Sequence, residues 1–204
     1  DIADMWIHEG FTTYTETVFI ECVKGYDEAI KYVNGQSKSV RNDRPVIAQF
    51  GVNKEGSGDM YYKGALMLNT IRHIINDDAK WWKLLYNYSE TYKKQIIDTK
   101  TVIDYFNKES GLDLTSVFNQ YLTTTKIPKL VLSKTGNKLS YEWQNVNTDF
   151  KMPVDIVINE KTIRLHPTTS KQETKIDKKI KLENIQVKTN QFFIKVEKKQ
   201  KNKS

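Results

Sequence analysis

The run Asp113-Leu114-Thr115-Ser116-Val117-Phe118-Asn119-Gln120-Tyr121-Leu122-Thr123-Thr124-Thr125-Lys126-Ile127-Pro128-Lys129-Leu130-Val131-Leu132-Ser133-Lys134-Thr135-Gly136-Asn137-Lys138-Leu139-Ser140-Tyr141-Glu142-Trp143 changes its hydrophobic period part-way along. Before Lys126 the apolar positions Val117, Phe118 and Leu122 recur at helical spacing behind Asp113, a residue able to cap a helix. Past Lys126-Ile127-Pro128 the period becomes two, with Leu139, Tyr141 and Trp143 alternating with polar neighbours. A change of period at a proline predicts a domain boundary. The expected fold class is therefore α+β as two domains, an all-helical domain over 1–127 and a small antiparallel β-sandwich over 128–199.

Downstream of the boundary, short alternating runs are separated by turn residues. Met152, Val154, Ile156 and Ile158 form one run, and Ile163 with Leu165, Ile180 with Leu182, Ile185 with Val187 and Ile194 with Val196 continue the pattern. Thr135-Gly136-Asn137, Asn159-Glu160-Lys161 and His166-Pro167 supply the turns. Lys198 and the residues after it read as a frayed end, with 200–204 expected to be a disordered tail.

Upstream, helical spacing continues back to the start. Trp6, Phe11, Tyr14 and Phe19 are expected along one broad face of a first helix ending near Gly25, and a second runs from Asp27 to about Gly35. Residues 42–58, with Pro45, Gly51, Gly56 and Gly58, predict a long irregular connection, a kind usually functional or mobile. Tyr61, Gly64, Ala65, Leu68, Ile71, Arg72 and Ile75 mark a third helix with Asp59 as its cap. Further helices are predicted over 81–94 and 101–108, the latter closed by Gly111.

The 204 residues include 38% hydrophobic and 28% charged residues, an ordinary folded composition. No apolar run is long enough to span a bilayer, and the first residues carry no signal-like pattern, so the start reads as internal to a longer protein. Cys22 is the single cysteine, expected as a small buried residue on a helix. The net charge of +7 is uneven: residues 129–204 hold 17 Lys or Arg against 8 Asp or Glu, and residues 1–128 hold 15 against 17. A basic β-domain admits an interaction module for nucleic acid or acidic surfaces, but the lysines are interleaved with Glu, Asp and Thr and few aromatics are placed to stack bases. The expectation is a solvated face and no nucleic-acid partner.

His8-Glu9 invites comparison with the zinc-peptidase pattern of two histidines one helical turn apart, but position 12 is Thr12. His73 and His166 fall in different domains, and no spacing joins them to His8. By themselves these residues define no metal site.

The surrounding stretch adds more. Asp4-Met5-Trp6-Ile7-His8-Glu9-Gly10-Phe11-Thr12-Thr13-Tyr14 resembles the Asp-x-Trp-Leu-Asn-Glu-Gly-Phe-Ala segment of the aminopeptidase N family of gluzincin zinc metallopeptidases. Met60-Tyr61-Tyr62-Lys63-Gly64-Ala65 is similar to that family's Tyr-x-Lys-Gly-Ala segment. Arg44-Pro45-Val46-Ile47 and the helix from Asp113 to Leu122 also resemble it. The resemblance covers residues 1–125 by motif and the rest by architecture, the C-terminal part of a catalytic domain followed by a β-domain. His8 stands where the family commonly has Asn, and Thr12 where it has Ala.

The resemblance implies that Glu9 is the third zinc ligand and that Tyr61, two residues before Lys63, is the tyrosine assisting catalysis. On an ideal helix Tyr61 would share a face with Gly64, Ala65 and Leu68 while Tyr62 points about 100° away. Implied as well are a Zn2+ cofactor in the full-length parent, a peptide substrate, and a partner in the missing N-terminal part of the catalytic domain with its His-Glu-x-x-His segment. The chain alone is expected to hold no stoichiometric zinc and to be inactive. The alternatives are a catalytically decayed peptidase-like binding protein and the basic β-sandwich interaction module.

Overall fold

The computed structural model describes residues 1–199; the disordered tail expected over 200–204 lies outside the described residues. The chain divides into two compact units, Asp1–Thr125 and the part from Lys126 onward. No helix is long and apolar enough to cross a membrane among the described residues.

The first unit contains α1 (Trp6–Lys24), α2 (Tyr26–Gly35), α3 (Tyr62–Ile75), α4 (Asp78–Tyr92), α5 (Thr99–Ser110) and α6 (Thr115–Thr123). Punctuation is local: Gly25 (φ 88°) and Gly111 (φ 69°) end α1 and α5 in conformations that disfavour a Cβ. The Asp77 and Asp98 carboxylates accept from Lys80 N and Thr101 N to start α4 and α5. Helix α3 is the centre, with every residue from Lys63 to Ile74 buried. Around it Trp6, Tyr14, Trp81, Phe106 and Phe118 form the aromatic core, Phe106 meeting Trp81 and Phe118 edge-on.

Two expectations about α1 are corrected. Phe19 is 64% exposed, and Cys22 is exposed rather than buried. The buried stripe is Trp6, Gly10, Thr13, Tyr14 and Thr17. At about 100° per residue, Phe19 and Cys22 fall roughly 140° to 160° from Trp6, on the far side of the helix. Asp59 does not cap α3 either. A 3-10 turn, Gly58–Met60, precedes that helix and is capped by the Ser57 hydroxyl.

The second unit holds two sheets, in strand order β5-β2-β1-β7 and β4-β3-β6. The strands are β1 (Lys129–Thr135), β2 (Lys138–Gln144), β3 (Val154–Ile158), β4 (Lys161–Leu165), β5 (Gln172–Lys175), β6 (Gln186–Val187) and β7 (Lys195–Lys199). Hairpin registers place Leu130 opposite Trp143 and Ile156 opposite Ile163. Asn159 and Glu160 both take positive φ in the β3–β4 turn, as a two-residue hairpin loop requires. Leu130, Leu132, Leu139, Trp143, Phe150, Met152, Val154 and Ile156 are buried, and Trp143 Nε1 donates to Met152 O at 3.0 Å. Two details depart from a wholly antiparallel sandwich: β7 pairs with β1 in parallel, and Leu182, expected in a strand, begins a 3-10 turn, Leu182–Asn184. In that turn Asn184 N donates to Lys181 O at 3.1 Å and Ile185 N to Leu182 O at 3.3 Å.

Candidate active site

The start of α1 is fixed by its own motif. Trp6 is fully buried and its Nε1 donates to Thr99 Oγ1 at 2.7 Å, and the Thr99 hydroxyl in turn donates to the Asp4 carboxylate. Asp4 and Trp6 therefore grip the first turn of α5 and set where the next turn of α1, with Glu9, must lie. Glu9 is half-buried and has no ion-pair partner among the described residues.

Facing it is the turn before α3. Gly10 and Gly64 lie at the contact of α1 with α3. A Cβ on Gly10 would also stand 3.2 Å from Met60 O, so the turn carrying Tyr61 packs closely on α1 next to Glu9. The Tyr61 phenol is held above its ordinary range, first by desolvation, then by the charge and proton-accepting contact of the Glu9 carboxylate, and last by Glu55. It stays protonated at neutral pH and remains a hydrogen-bond donor.

Three further groups hold this turn. The buried Asp59 carboxylate accepts from Arg41 N at 2.8 Å and Asn42 N at 2.6 Å, closing the neck of the 42–57 loop. Within the neck, Ser57 Oγ donates to Asp43 Oδ1 at 2.6 Å and Arg44 to Gly56 O at 3.1 Å. A Cβ on Gly56 would stand 1.7 Å from Val46 O, so only glycine closes it. On the other side, Lys63 is buried, and its Nζ donates to Thr124 O at 2.7 Å, just beyond the end of α6. Burial pushes this ammonium down to about 8, with the Asp59 charge opposing.

The two candidate residues, Glu9 and Tyr61, are thus brought together, but Tyr61 does not lie on the buried face of α3. It precedes the helix, with φ −70° and ψ −76°, and is 39% exposed, as is Tyr62. The two tyrosines nevertheless differ: the Glu9 carboxylate helps raise the Tyr61 phenol, whereas Tyr62 acts electrostatically on Tyr32 of α2.

The histidines stay apart. His8 is exposed and lines a cleft of about 740 Å³ with Asp4, Met5, Phe11, Tyr88 and Tyr92, a cleft that Glu9 does not line. His73 is buried between Asn69 O (2.7 Å from Nδ1) and the Tyr26 hydroxyl (2.9 Å from Nε2), a structural role. Among the described residues no cluster of three or more His, Cys, Asp or Glu is arranged to hold a metal ion. Glu9 fits a metal as a single ligand: an accessible carboxylate without a competing cation. Reading motifs alone missed the burial of Lys63 and the closeness of Gly10 and Gly64; the only signal for either was the Lys-Gly pair at 63–64.

Known proteins resemble this chain in sequence and in fold. The family description "Peptidase family M1 domain" matches residues 2–121. A curated relative, the probable aminopeptidase 2 of Sulfurisphaera tokodaii, is 24% identical over 181 residues, which cover 78% of this chain and 23% of that protein. Among solved structures, Legionella pneumophila aminopeptidase A in complex with aspartic acid superposes with a TM-score of 0.76 at 14% identity, over 98% of this chain and 25% of that one. A mutant M1 zinc metallopeptidase of Deinococcus radiodurans bound to a Tyr-Ser-Ala substrate superposes with a TM-score of 0.52 at 23% identity, over 63% of this chain and 29% of that one. The structural likenesses show a shared fold, and the chain spans about a quarter of the length of each of these relatives. With the family match running through both the Glu9 and the Tyr61 segments, the chain belongs to peptidase family M1.

Proposed function

We propose that this chain is the C-terminal part of the catalytic domain, with the following β-domain, of a zinc-dependent aminopeptidase that hydrolyses N-terminal peptide bonds. The observation that carries the reading is the close approach of α1 at Gly10 to α3 at Gly64, which sets Glu9, a carboxylate without an ion-pair partner among the described residues, beside the turn carrying Tyr61, 52 positions away in sequence. Glu9 is the third metal ligand; the two histidines and the glutamate base come from a His-Glu-x-x-His segment outside this chain. Bound there, zinc would supply an acidified water and a positive charge opposite the scissile carbonyl. Tyr61 Oη donates its hydrogen bond to the oxyanion that forms when that carbonyl is attacked. Glu9 sits on a helix whose first turn is locked through Trp6 and Asp4 to Thr99, which fixes the backbone that carries the ligand. Tyr62 has no part in the step.

Isolated, the chain offers one carboxylate and neither binds zinc stoichiometrically nor hydrolyses peptides. The test is turnover of an aminoacyl anilide by the longer protein that carries this chain. Tyr61→Phe should lower kcat about 100- to 1,000-fold, as the loss of an oxyanion donor does. Glu9→Gln should abolish or sharply reduce turnover, and Tyr62→Phe should be mild. Equal damage from the two tyrosine changes would refute the assignment.

A further inference from the structure

Resting on the function proposed above, we infer that Gly64 and Gly10 are positioning residues for the reaction: their contact sets the separation of the Glu9 carboxylate and the Tyr61 hydroxyl. A methyl group on Gly64 would stand 2.9 Å from Gly10 Cα. One on Gly10 would stand 3.3 Å from Gly64 Cα and 3.2 Å from Met60 O. Carbon atoms rest about 3.5 to 4.0 Å apart, so a single added methyl at position 64 must drive the two backbones apart by roughly 0.6 to 1 Å. No flexible side chain lies in the way to yield instead, because every atom within 3.4 Å of either built methyl is backbone.

The place of this contact gives it its consequence. Glu9 is the residue before Gly10, Tyr61 is less than one helical turn before Gly64, and Met60 O would stand 3.2 Å from a methyl group on Gly10. The backbone contact thus lies one residue from Glu9 and three from Tyr61. The turn is held from behind by Asp59 on Arg41 N and Asn42 N, and by Lys63 on Thr124 O. Widening the contact therefore moves the phenol relative to the carboxylate instead of tilting the whole turn with it. A misplacement of about 1 Å in a donor that acts on developing charge costs on the order of 100-fold in rate. Since that contact forms in the transition state and not with bound substrate, the loss falls on kcat and leaves KM close to its original value.

Two measurements test this. In the chain itself, a nuclear Overhauser effect between the Gly10 and Gly64 α-protons is expected, and its absence overturns the inference. In the longer enzyme, Gly64→Ala should lower kcat about 10- to 100-fold with KM nearly unchanged, and Gly10→Ala should do the same to a smaller degree, following the looser contact. Leu84→Ala, a buried truncation on α4, should reduce thermal stability while keeping kcat. If Gly64→Ala does not fold, Gly10→Ala decides alone. An active enzyme whose glycine variants keep wild-type kcat, or lose no more of it than Leu84→Ala does, overturns the positioning role and leaves the proposed function standing. A wild-type enzyme with no hydrolytic activity overturns both.

Discussion

Lys63 is the residue whose surroundings depart furthest from its type. Its ammonium is buried, and burial lowers it from 10.5 to about 8 although Asp59 and Thr124 O stand by it. The consequence for stability has a definite sign. Between about pH 8 and 10.5 the unfolded chain binds a proton that the folded chain does not, so the Lys63 contribution to stability rises with pH across that window. Below about pH 8 both states carry the proton and the cost of burying the charge is full. The buried Tyr14, Tyr88 and Tyr121 phenols are all raised by desolvation, so the folded state keeps protons that the unfolded state loses above about pH 10, and stability falls there. Urea midpoints at about pH 7.5 and 9.5 should therefore differ in the wild type, and that difference should shrink or vanish in Lys63→Met; an unchanged difference would place the effect elsewhere. None of this was legible in sequence. A lysine at a helix start reads as solvated, and its burial depends on a carbonyl 61 positions away and on α3 being covered on all sides.

At the scale of elements, punctuation was readable and burial was not. Gly25 and Gly111 end α1 and α5 where expected, each at a positive φ that a Cβ disfavours. The buried face of α1 was misjudged at Phe19, since aromatic spacing alone does not say which side a neighbouring helix covers. Strand β7 was anticipated from Ile194 and Val196, but its parallel pairing with β1 depends on the path of the chain, which alternation does not encode. One long-range tie between helices went unseen. The Arg72 guanidinium of α3 is bidentate to Glu21 of α1 at 2.5 and 2.8 Å and bonds Asp78 of α4 at 2.9 Å. It also lies over Trp82 at 4.6 Å. Arg72 is 2% exposed, whereas Asp78 is 61% exposed, so Glu21 is the partner that balances the buried charge. Glu21→Gln should cost about 3 kcal/mol in urea unfolding, because it strands a buried cation, and replacing Arg72 and Glu21 together by Met and Leu should cost less than Glu21→Gln alone. The reverse order would mean that the pair is solvated.

For the whole molecule, the shift of hydrophobic period predicts a boundary between 127 and 128, and the structure divides between Thr125 and Lys126. The candidate site was legible only through motifs: Glu9 and Tyr61 carry no spacing that joins them, and the contact of α1 with α3 is what brings them together. His8, adjacent to Glu9 in sequence, faces a different cleft, so His8→Asn in the longer enzyme should leave metal content unchanged. The chain belongs to peptidase family M1 and spans about a quarter of the relatives' length, and the function proposed above has its site completed by polypeptide outside this chain. The most direct test of that claim is the zinc content of the longer protein, purified with and without Glu9→Ala. The account predicts about one zinc per chain in the wild type and its loss in the variant. Undiminished zinc in Glu9→Ala would contradict it.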